Sequence, residues 1–330
     1  MAIHRRIFVT LSVASAATPW IAGCATARVE GALPAVSPRE EPGFTAPPAG
    51  TQHACALVLS GGAARGFAHL GVLRVLEREG LRPDLVVGSS AGAIVGALWA
   101  SGMTVAEIEG AADGLDWSVL FDFDPVRALL GGLGLGLMKG ERVAQFFKRY
   151  LSKPIEAFPM PFAAVATDME NGDTVALNHG DAATAVRASC AVPALYPPVR
   201  TRGRLLADGQ ITSPLPVATA RQLGAVKVLA VDVIYPPQHS EMNNPMSMLF
   251  QSLVVSGWRH LLRERAQADL LISPEIRTSA QLGLDSRNWL VKAGEHAAQA
   301  RVDEILRFFA KPAQETAAPT AAMAGIADGH

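Results

Sequence analysis

The chain has 330 residues, of which 49% are hydrophobic and 18% charged, so it holds ample material for a buried core. Its net charge of −1 offers no electrostatic attraction for a polyanion, which argues against nucleic acid as a partner. The three cysteines, at positions 24, 55 and 190, are too few for a disulfide framework. No cysteine–histidine spacing indicates a zinc site, so no metal is expected.

The amino-terminal segment has the pattern of an export signal. Arg5 and Arg6 precede a short apolar run that ends at Trp20, and a bilayer-spanning helix needs about 20 apolar residues. The run Ile-Ala-Gly-Cys that ends at Cys24 resembles the lipobox of bacterial lipoproteins, and the arginine pair resembles a twin-arginine signal. We predict a signal peptide over residues 1–23, a lipidated Cys24, and export to the bacterial cell envelope, with the anchor on the periplasmic face of the outer membrane. The alternative is an ordinary signal peptide with a chance cysteine.

Two segments of biased composition flank the body of the chain. Residues 24–53 contain five of the prolines and few large apolar residues, which predicts an extended tether. Residues 311–330 are rich in alanine without an amphipathic pattern, which predicts a disordered tail. Residues 54–310 are therefore expected to form the folded domain.

Apolar runs alternate with helical patterns through this domain. Ala54–Ser60 and Leu85–Gly88 are short and nearly continuously apolar, as expected for strands covered on both faces. A helical pattern follows each of them. The alternation predicts an α/β fold, in which a three-layer α/β/α domain surrounds a mixed, mostly parallel sheet. Further along, the Asn171–Gly172 pair predicts a hairpin, and Met246–Glu264 and Asn288–Phe309 predict two late helices that pack on the sheet.

The second apolar run leads into a pattern typical of a nucleophilic serine. Gly88-Ser89-Ser90-Ala91-Gly92 has the form G-x-S-x-G and stands between a buried strand and a helix. A serine in such a sharp turn exposes its hydroxyl, while Gly88 and Gly92 remove side chains that would clash. The amide groups at the start of the helix favour negative charge at the same place. The pattern predicts Ser90 as a nucleophile.

The first apolar run is followed by a loop of small residues, Ser60 to Gly66. An acyl hydrolase needs backbone N–H groups that can hold an oxyanion, and glycine lets a backbone approach a substrate oxygen closely. Gly61, Gly62 and Ala63, with Arg65, are the candidates. A nucleotide-binding loop is the competing interpretation, but Ala63 interrupts the G-x-G-x-x-G spacing and no P-loop lysine follows.

Ser90 needs a base, because its hydroxyl is protonated at neutral pH. One possibility is a Ser-Asp-His triad that uses His239, His260 or His296, although the last two fall in helical patterns. The other is a Ser–Asp dyad with Asp208, which follows an apolar run and precedes a glycine. A carboxylate can act as a base if burial keeps its pKa in a useful range.

Several ordered blocks resemble the patatin-like phospholipases. Leu59 to Gly66 is similar to the family's oxyanion motif, Gly88 to Gly92 to its nucleophile motif, and Asp208–Gly209 to its aspartate motif. The blocks at 166–172 and 186–193 are similar to those of bacterial members. The resemblance covers about residues 54 to 235. It implies an acyl-enzyme mechanism without a cofactor, with Ser90 as nucleophile and Asp208 as base, acting on the acyl esters of a membrane lipid or lysolipid.

Two departures from the family pattern leave a second function open. The oxyanion motif usually has glycine where Ala63 stands, and the aspartate motif usually continues with glycine or alanine where Gln210 stands. The alternative is therefore a catalytically weak or inactive lipoprotein on the same fold, which binds lipid or a protein partner. Within the family blocks, Asp168 is expected to be structural, and Arg187 and Ser189 to hold a loop near the site.

Two apolar segments remain. Leu129–Met138 is rich in glycine and has no helical or strand period, so it is either a buried connector or a lid that opens at a lipid surface. Met246–Leu262 carries an apolar stripe, for which core packing is the better interpretation and interfacial binding the alternative.

Overall fold

A computed structural model of the protein describes residues 41–114, 122, 136–237, 242, 244–276 and 286–310. The predicted signal peptide, Cys24, His239 and the predicted tail lie outside these described residues, as does most of the segment 129–138, which is expected to be a connector or a lid. Of the predicted tether, the described part begins at Glu41, and there it contacts the domain. The Glu41 carboxylate accepts the Arg202 N–H at 2.9 Å, and Gly43 forms an antiparallel bridge with His179.

Eight strands form one sheet within the described residues. They are β1 (His53–Leu59), β2 (Leu85–Ser89), β3 (Phe162–Asp168), β4 (Thr174–Leu177), β5 (Val199–Thr201), β6 (Arg204–Asp208), β7 (Ala225–Val231) and β8 (Leu270–Ile272). Strands β3, β2, β1, β7 and β8 are parallel neighbours in that order, whereas β4, β5 and β6 pair in antiparallel fashion. The mixed, mostly parallel sheet of the sequence prediction is confirmed, and the hairpin at Asn171–Gly172 joins β3 to β4.

Strand β3 aligns two other strands along one of its edges. Its residues 164–167 pair with β4, its residues 162–165 with β2, and its residues 166–168 with β6. Because β4 overlaps both of the others in register, β4 must occupy one edge while β2 and β6 share the opposite edge. Strand β2 ends at Ser89, opposite Val165, and β6 ends at Asp208, opposite Ala166. The carboxyl ends of β2 and β6 therefore meet end to end on β3.

Helices cover both faces of the sheet. They are α1 (Phe67–Arg78), α2 (Ala91–Ala100), α3 (Val105–Asp113), α4 (Glu141–Tyr150), α5 (Ala182–Ser189), α6 (Val217–Gln222), α7 (Pro245–Gln267), α8 (Arg287–Gln299) and α9 (Val302–Phe309). The buried residues of α6 and α7 pack with one set of alternate strand residues, and those of the other helices pack with the opposite set. The three-layer α/β/α architecture is thus confirmed. No helix in this described part combines the length and apolarity needed to cross a bilayer.

The late helices differ in one respect from the sequence prediction. The helix expected over Asn288–Phe309 is divided into α8 and α9 at Ala300 and Arg301. At the break, the Arg301 guanidinium donates to the carbonyl of Leu271 in β8 and pairs with Glu304. This anchorage to the sheet edge is a tertiary contact, and the helical periodicity of the sequence contains no sign of it.

Candidate active site

Ser90 lies on the turn between β2 and α2, as the G-x-S-x-G pattern predicts. Its backbone has φ 50° and ψ −121°, a conformation that residues with a side chain rarely adopt. Its N–H donates to the Ser189 hydroxyl at 2.9 Å, and its carbonyl accepts from Ala93 N–H at 2.8 Å. The strained turn is therefore held by hydrogen bonds to both α5 and α2.

The two glycines of the motif are required by close backbone contacts. A Cβ at Gly88 would lie 2.4 Å from the carbonyl oxygen of Gly92, and one at Gly92 would lie 2.3 Å from the carbonyl oxygen of Leu59. Neither contact can be relieved by rotating a side chain, because backbone atoms are involved. The glycines thus let the elbow pack against the end of β1, which leads into the small-residue loop.

The structure brings Ser90 and Asp208 together. The Ser90 hydroxyl donates to Asp208 Oδ2 at 2.8 Å, across 118 residues of sequence. The end-to-end meeting of β2 and β6 on β3 explains this proximity, since Ser90 follows one strand and Asp208 ends the other. Gly209 makes the meeting possible, because a Cβ there would lie 2.2 Å from the Val165 carbonyl oxygen.

Asp208 is almost completely buried, with 1% of its surface exposed. Burial raises the pKa of its carboxyl from 3.8 to about 6, against the opposing effect of hydrogen bonds from Gln210 N–H and the Ser90 hydroxyl. The Gln210 N–H donates to Oδ1 at 2.8 Å, and Thr167 donates its hydroxyl to the Asp208 carbonyl at 2.9 Å. A carboxyl fixed in this way, with a raised pKa, has the properties required of a general base near neutral pH.

The loop between β1 and α1 lies beside the Ser90 side chain. A Cβ at Gly61 would lie 3.4 Å from Ser90 Cβ and 2.5 Å from Gln210 Oε1. The side chain of Gln210 therefore rests on the backbone at Gly61, while its own N–H holds Asp208. Its effect on the site is to pack the loop against the dyad.

The candidate oxyanion donors divide into two groups. The Gly61 N–H donates to the Pro214 carbonyl at 2.9 Å, and the Arg65 N–H donates to the Gly62 carbonyl at 3.1 Å. Within the described part of the chain, the N–H groups of Gly62 and Ala63 donate to no other group. The backbone amides that remain for an oxyanion are those of Gly62 and Ala63. Gly61, which the sequence analysis included among the donors, instead supports the loop.

Ala63 occupies the left-handed region, with φ 51°. A residue with a Cβ in this conformation costs about 1 kcal/mol relative to glycine. This is where the family resemblance leads one to expect glycine. Alanine therefore adopts this conformation at some cost in strain, and its N–H is as free to bind an oxyanion as that of a glycine would be.

Arg65 is buried beneath this loop, and an acid that the sequence analysis did not single out compensates its charge. Burial lowers the pKa of Arg65 to about 10, whereas the charges of Asp232 and Tyr235 raise it. Asp232 also forms an ion pair with Arg265 on α7 and accepts the Ile234 N–H at 2.8 Å. Asp232 directly follows β7. An acidic residue at the end of an otherwise apolar, buried run is the sequence signal that indicates such a buried ion pair.

His69 on α1 supports the same loop from within the core. It is fully buried, and its Nε2 lies 2.9 Å from the Ser60 carbonyl, to which it donates. Burial lowers the pKa of His69 to about 4, so the ring is neutral at physiological pH. Ser60 in turn accepts the Val233 N–H through its hydroxyl at 2.9 Å. A single histidine on a helix gives no sequence signal for this role.

The residues around Ser189 hold the other side of the elbow. The Ser189 hydroxyl donates to the Val165 carbonyl at 2.5 Å while it accepts the Ser90 N–H. The Cys190 thiol donates to the Ser90 carbonyl at 3.3 Å. Burial and the nearby Asp208 raise the pKa of Cys190, which keeps it a neutral thiol. Ser189 therefore lies where the sequence analysis expected it, against the active-site turn.

The remaining candidates lie away from the dyad. His260 on α7 and His296 on α8 are both exposed at the surface. The two carboxylate oxygens of Asp208 are occupied by Ser90 and Gln210, so neither described histidine completes a triad. Asp168 accepts the Glu170 N–H at 3.0 Å and pairs with Arg204, which fits the structural role expected for it.

The fold and the site together define a class of protein, an α/β protein with a serine on a strand–turn–helix elbow and a buried aspartate within hydrogen-bond distance. Residues 57–221, half of the chain, match the family model described as patatin-like phospholipase. The chain belongs to the patatin-like phospholipase family.

Individual relatives cover part of the chain. An uncharacterised NTE-family protein of Mycobacterium bovis is 35% identical over 54% of this chain and 48% of its own length. A lysophospholipase, NTE1, of Lodderomyces elongisporus is 32% identical over 56% of this chain and 13% of its own length. The chain therefore spans about half the length of the first relative and a smaller share of the second. Among solved structures, VipD from Legionella pneumophila is 17% identical, with a TM-score of 0.47 over 81% of this chain and 70% of that one.

Proposed function

We propose that the protein is a serine acyl hydrolase of the phospholipase A or lysophospholipase type, which cleaves lipid acyl esters through a Ser90–Asp208 dyad. The observation that carries the proposal is the 2.8 Å hydrogen bond from the Ser90 hydroxyl to the buried Asp208 carboxylate. Membership of the patatin-like phospholipase family supports a lipid ester as substrate.

In the first half of the reaction, Asp208 takes the Ser90 proton as the Ser90 oxygen attacks the ester carbonyl carbon. The carbonyl oxygen becomes an oxyanion, which the N–H groups of Gly62 and Ala63 stabilise. The tetrahedral intermediate then expels the alcohol part of the lipid, which receives the proton from Asp208. An acyl group remains on Ser90 as an ester.

In the second half, water attacks the acyl-enzyme. Asp208 takes a proton from the water, the same two amides hold the second oxyanion, and the fatty acid leaves as the proton returns to the Ser90 oxygen. Arg65, whose buried charge is compensated by Asp232, supports the loop that carries these two amides. The reaction uses only groups of the chain, the lipid and water.

The proposal also includes the cellular location of the protein. Its support is the sequence pattern that ends at Cys24, which resembles a lipobox. A lipid anchor on the periplasmic face of the outer membrane holds the domain beside acyl esters. Metabolic labelling with palmitate, compared between wild type and Cys24→Ala, tests the anchor, and a wild-type chain without label removes it from the proposal.

A fluorophosphonate probe tests the dyad without requiring knowledge of the lipid. The probe reacts with a serine that is activated and lies beside an oxyanion hole. We expect wild type to be labelled, and Ser90→Ala and Asp208→Asn to lose the label while they keep the circular dichroism spectrum of wild type. His296→Ala and His260→Ala are matched controls and should label as wild type does.

The outcomes separate the proposal from its alternative. A well-folded wild type that takes no label would point to an inactive member of the fold that binds lipid or a protein partner. Labelling that survives Asp208→Asn but is lost in a histidine variant would replace the dyad with a triad. Release of fatty acid from phosphatidylcholine or lysophosphatidylcholine by wild type, and not by Ser90→Ala, then identifies the lipid substrate.

A further inference from the structure

Helix α7 presents an unusual surface to solvent. Met248, Val255 and Leu262 are spaced seven residues apart, so they lie in one stripe along the helix. Their exposed fractions are 52%, 56% and 47%, although each is a large apolar residue. The side of α7 that packs on the sheet is supplied by other residues, among them Val254 and Leu261, at 7% and 1% exposure. The packing of α7 on the sheet therefore does not require the three residues of the stripe.

The charged side chains that α7 itself presents beside the stripe are arginines. Arg259 and Arg263 are exposed on the same side of α7, one turn apart. Neither forms an ion pair with a carboxylate within the described residues. The one acid in the helix, Glu264, is buried and accepts the Ala218 N–H at 2.7 Å. The outer face of α7 thus combines an apolar stripe with unopposed positive charge.

The inner face of the same helix lies directly behind the active site. A Cβ at Gly257 would lie 2.6 Å from the carbonyl oxygen of Gln210, the second residue after Asp208. Leu249 and Leu253, near the start of the helix, pack against a small cluster that contains Val192 and Leu195. An α-helix with its side chains is about 10 Å across. A partner that binds the outer face of α7 therefore lies about 10 Å from the segment that carries Asp208.

We propose that the outer face of α7 docks the protein on an anionic lipid bilayer. The apolar side chains Met248, Val255 and Leu262 enter the boundary between headgroups and acyl chains, while Arg259 and Arg263 bind lipid phosphates. Apolar side chains that enter the boundary between headgroups and acyl chains, and cations that attract anionic lipids, are the two contributions that hold a helix at a membrane surface. The inference rests on the proposed function, since it places the acyl hydrolase on its substrate.

Charge complementarity selects this partner. Each cationic side chain near an anionic bilayer contributes about 1 kcal/mol of attraction, and a face without acids meets no repulsion there. A second copy of the chain would bring the same arginines against each other, which is unfavourable. The bilayer therefore matches both the apolar and the charged part of the face.

The test reads the environment of α7 itself, in a Ser90→Ala background that leaves vesicles intact. Val255→Cys is labelled with an environment-sensitive fluorophore and mixed with phosphatidylcholine vesicles, with and without phosphatidylglycerol. Leu306→Cys on α9 is the matched position, because Leu306 is 40% exposed and α9 lies on the opposite face of the sheet. The background protein without an added cysteine gives the signal from native cysteines.

The expected result is a blue shift and a gain in intensity at position 255 with anionic vesicles, smaller with neutral ones, and none at position 306. A label at 255 that does not respond to anionic vesicles overturns the proposal, as does an equal response at 306. A separate assay detects failure of the proposed chemistry. If that chemistry is wrong, wild type will not hydrolyse a soluble ester in a Ser90-dependent way, whichever face binds vesicles.

A matched pair of double variants provides the second measurement. The dipeptide Leu262–Arg263 on α7 has its counterpart in Leu306–Arg307 on α9. We expect Leu262→Ser with Arg263→Gln to weaken the α7-label response to anionic vesicles by about tenfold in lipid concentration, while Leu306→Ser with Arg307→Gln leaves it unchanged. Equal binding by both variants overturns the proposal. So does self-association of wild type that is lost in the α7 variant without vesicles, since that result assigns the face to a second copy.

Discussion

Replacing Asp208 by asparagine should make the folded protein more stable at alkaline pH while it abolishes activity. The carboxyl is buried, and its pKa rises from 3.8 to about 6, chiefly because burial disfavours the charge. One pKa unit corresponds to about 1.4 kcal/mol, so keeping this group ionised in the folded chain costs about 3 kcal/mol. Asparagine removes that cost, because it is neutral and nearly the same shape.

The hydrogen bonds at this position can be kept in the variant. The asparagine oxygen accepts the Gln210 N–H as Oδ1 does now, and its amide group donates to the Ser90 oxygen. The bond to Ser90 changes direction and becomes a bond between neutral groups. A gain in the free energy of unfolding of about 2 to 3 kcal/mol is therefore expected at pH 8.

The gain should depend on pH in a definite window. The folded-state pKa of Asp208 lies above its unfolded-state value, so the unfolded chain releases this proton first as pH rises. As the pH rises from about 4 to about 6, the free energy of unfolding of wild type therefore falls relative to that of Asp208→Asn. Above that range the difference stays constant. Below about pH 4 the carboxyl is protonated in both states and the two proteins should be equally stable.

Urea unfolding monitored by tryptophan fluorescence at pH 4, 5, 6 and 8 measures the effect. Ser90→Ala is the control, because it is also inactive but leaves Asp208 charged and removes a hydrogen bond to it. Its stability at pH 8 should fall by about 1.5 to 3 kcal/mol. An Asp208→Asn protein no more stable than wild type at pH 8, or a gain that persists unchanged at pH 4, would refute the reasoning.

Three further predictions follow from the same site. The acid limb of kcat/KM for an ester substrate should fall near pH 6, because Asp208 must be ionised to act as base, and a limb near pH 4 would contradict the burial argument. Ala63→Gly should raise the free energy of unfolding by up to about 1 kcal/mol, because glycine relieves the positive φ, and an unchanged or lower urea midpoint would show that the loop carries no such strain. Asp232→Asn should lower the free energy of unfolding by about 3 kcal/mol, since it leaves Arg65 and Arg265 without their shared carboxylate. Adding Arg265→Gln to that variant should restore part of the loss, which urea unfolding will also measure, and a loss below about 1 kcal/mol would contradict the prediction.

Local features of the site could be predicted because short motifs determine them. The strand, the G-x-S-x-G turn and the helix around Ser90 are contiguous in sequence, and the close contacts of Gly88 and Gly92 explain the motif physically. The hairpin at Asn171–Gly172 follows from turn chemistry in the same way. Bounds of the first strands were within one residue, since the apolar runs that define them are short and buried.

Contacts between distant segments could not be obtained from such patterns. The apolar run before Asp208 and the glycine after it make this residue a candidate base, and the family resemblance favours it over the histidines, whereas the alignment of two strand ends on β3 is a matter of sheet register. The role of His69 beneath the oxyanion loop has no periodic signal. The engagement of the Gly61 N–H with Pro214 depends on a segment about 150 residues away, so the sequence did not show which amides stay free.

Because β2 and β6 meet end to end on β3, their pairing with β3 fixes the distance between Ser90 and Asp208. Side chains alternate between the faces of a sheet, so a slip of one residue between β3 and β6 would turn the Asp208 side chain to the other face. Ser90 and its base therefore exist as a pair only once three strands have assembled in a single register. If the chain acts on membrane lipid as proposed, a copy in which these three strands have not yet paired in register lacks the dyad and has no activity.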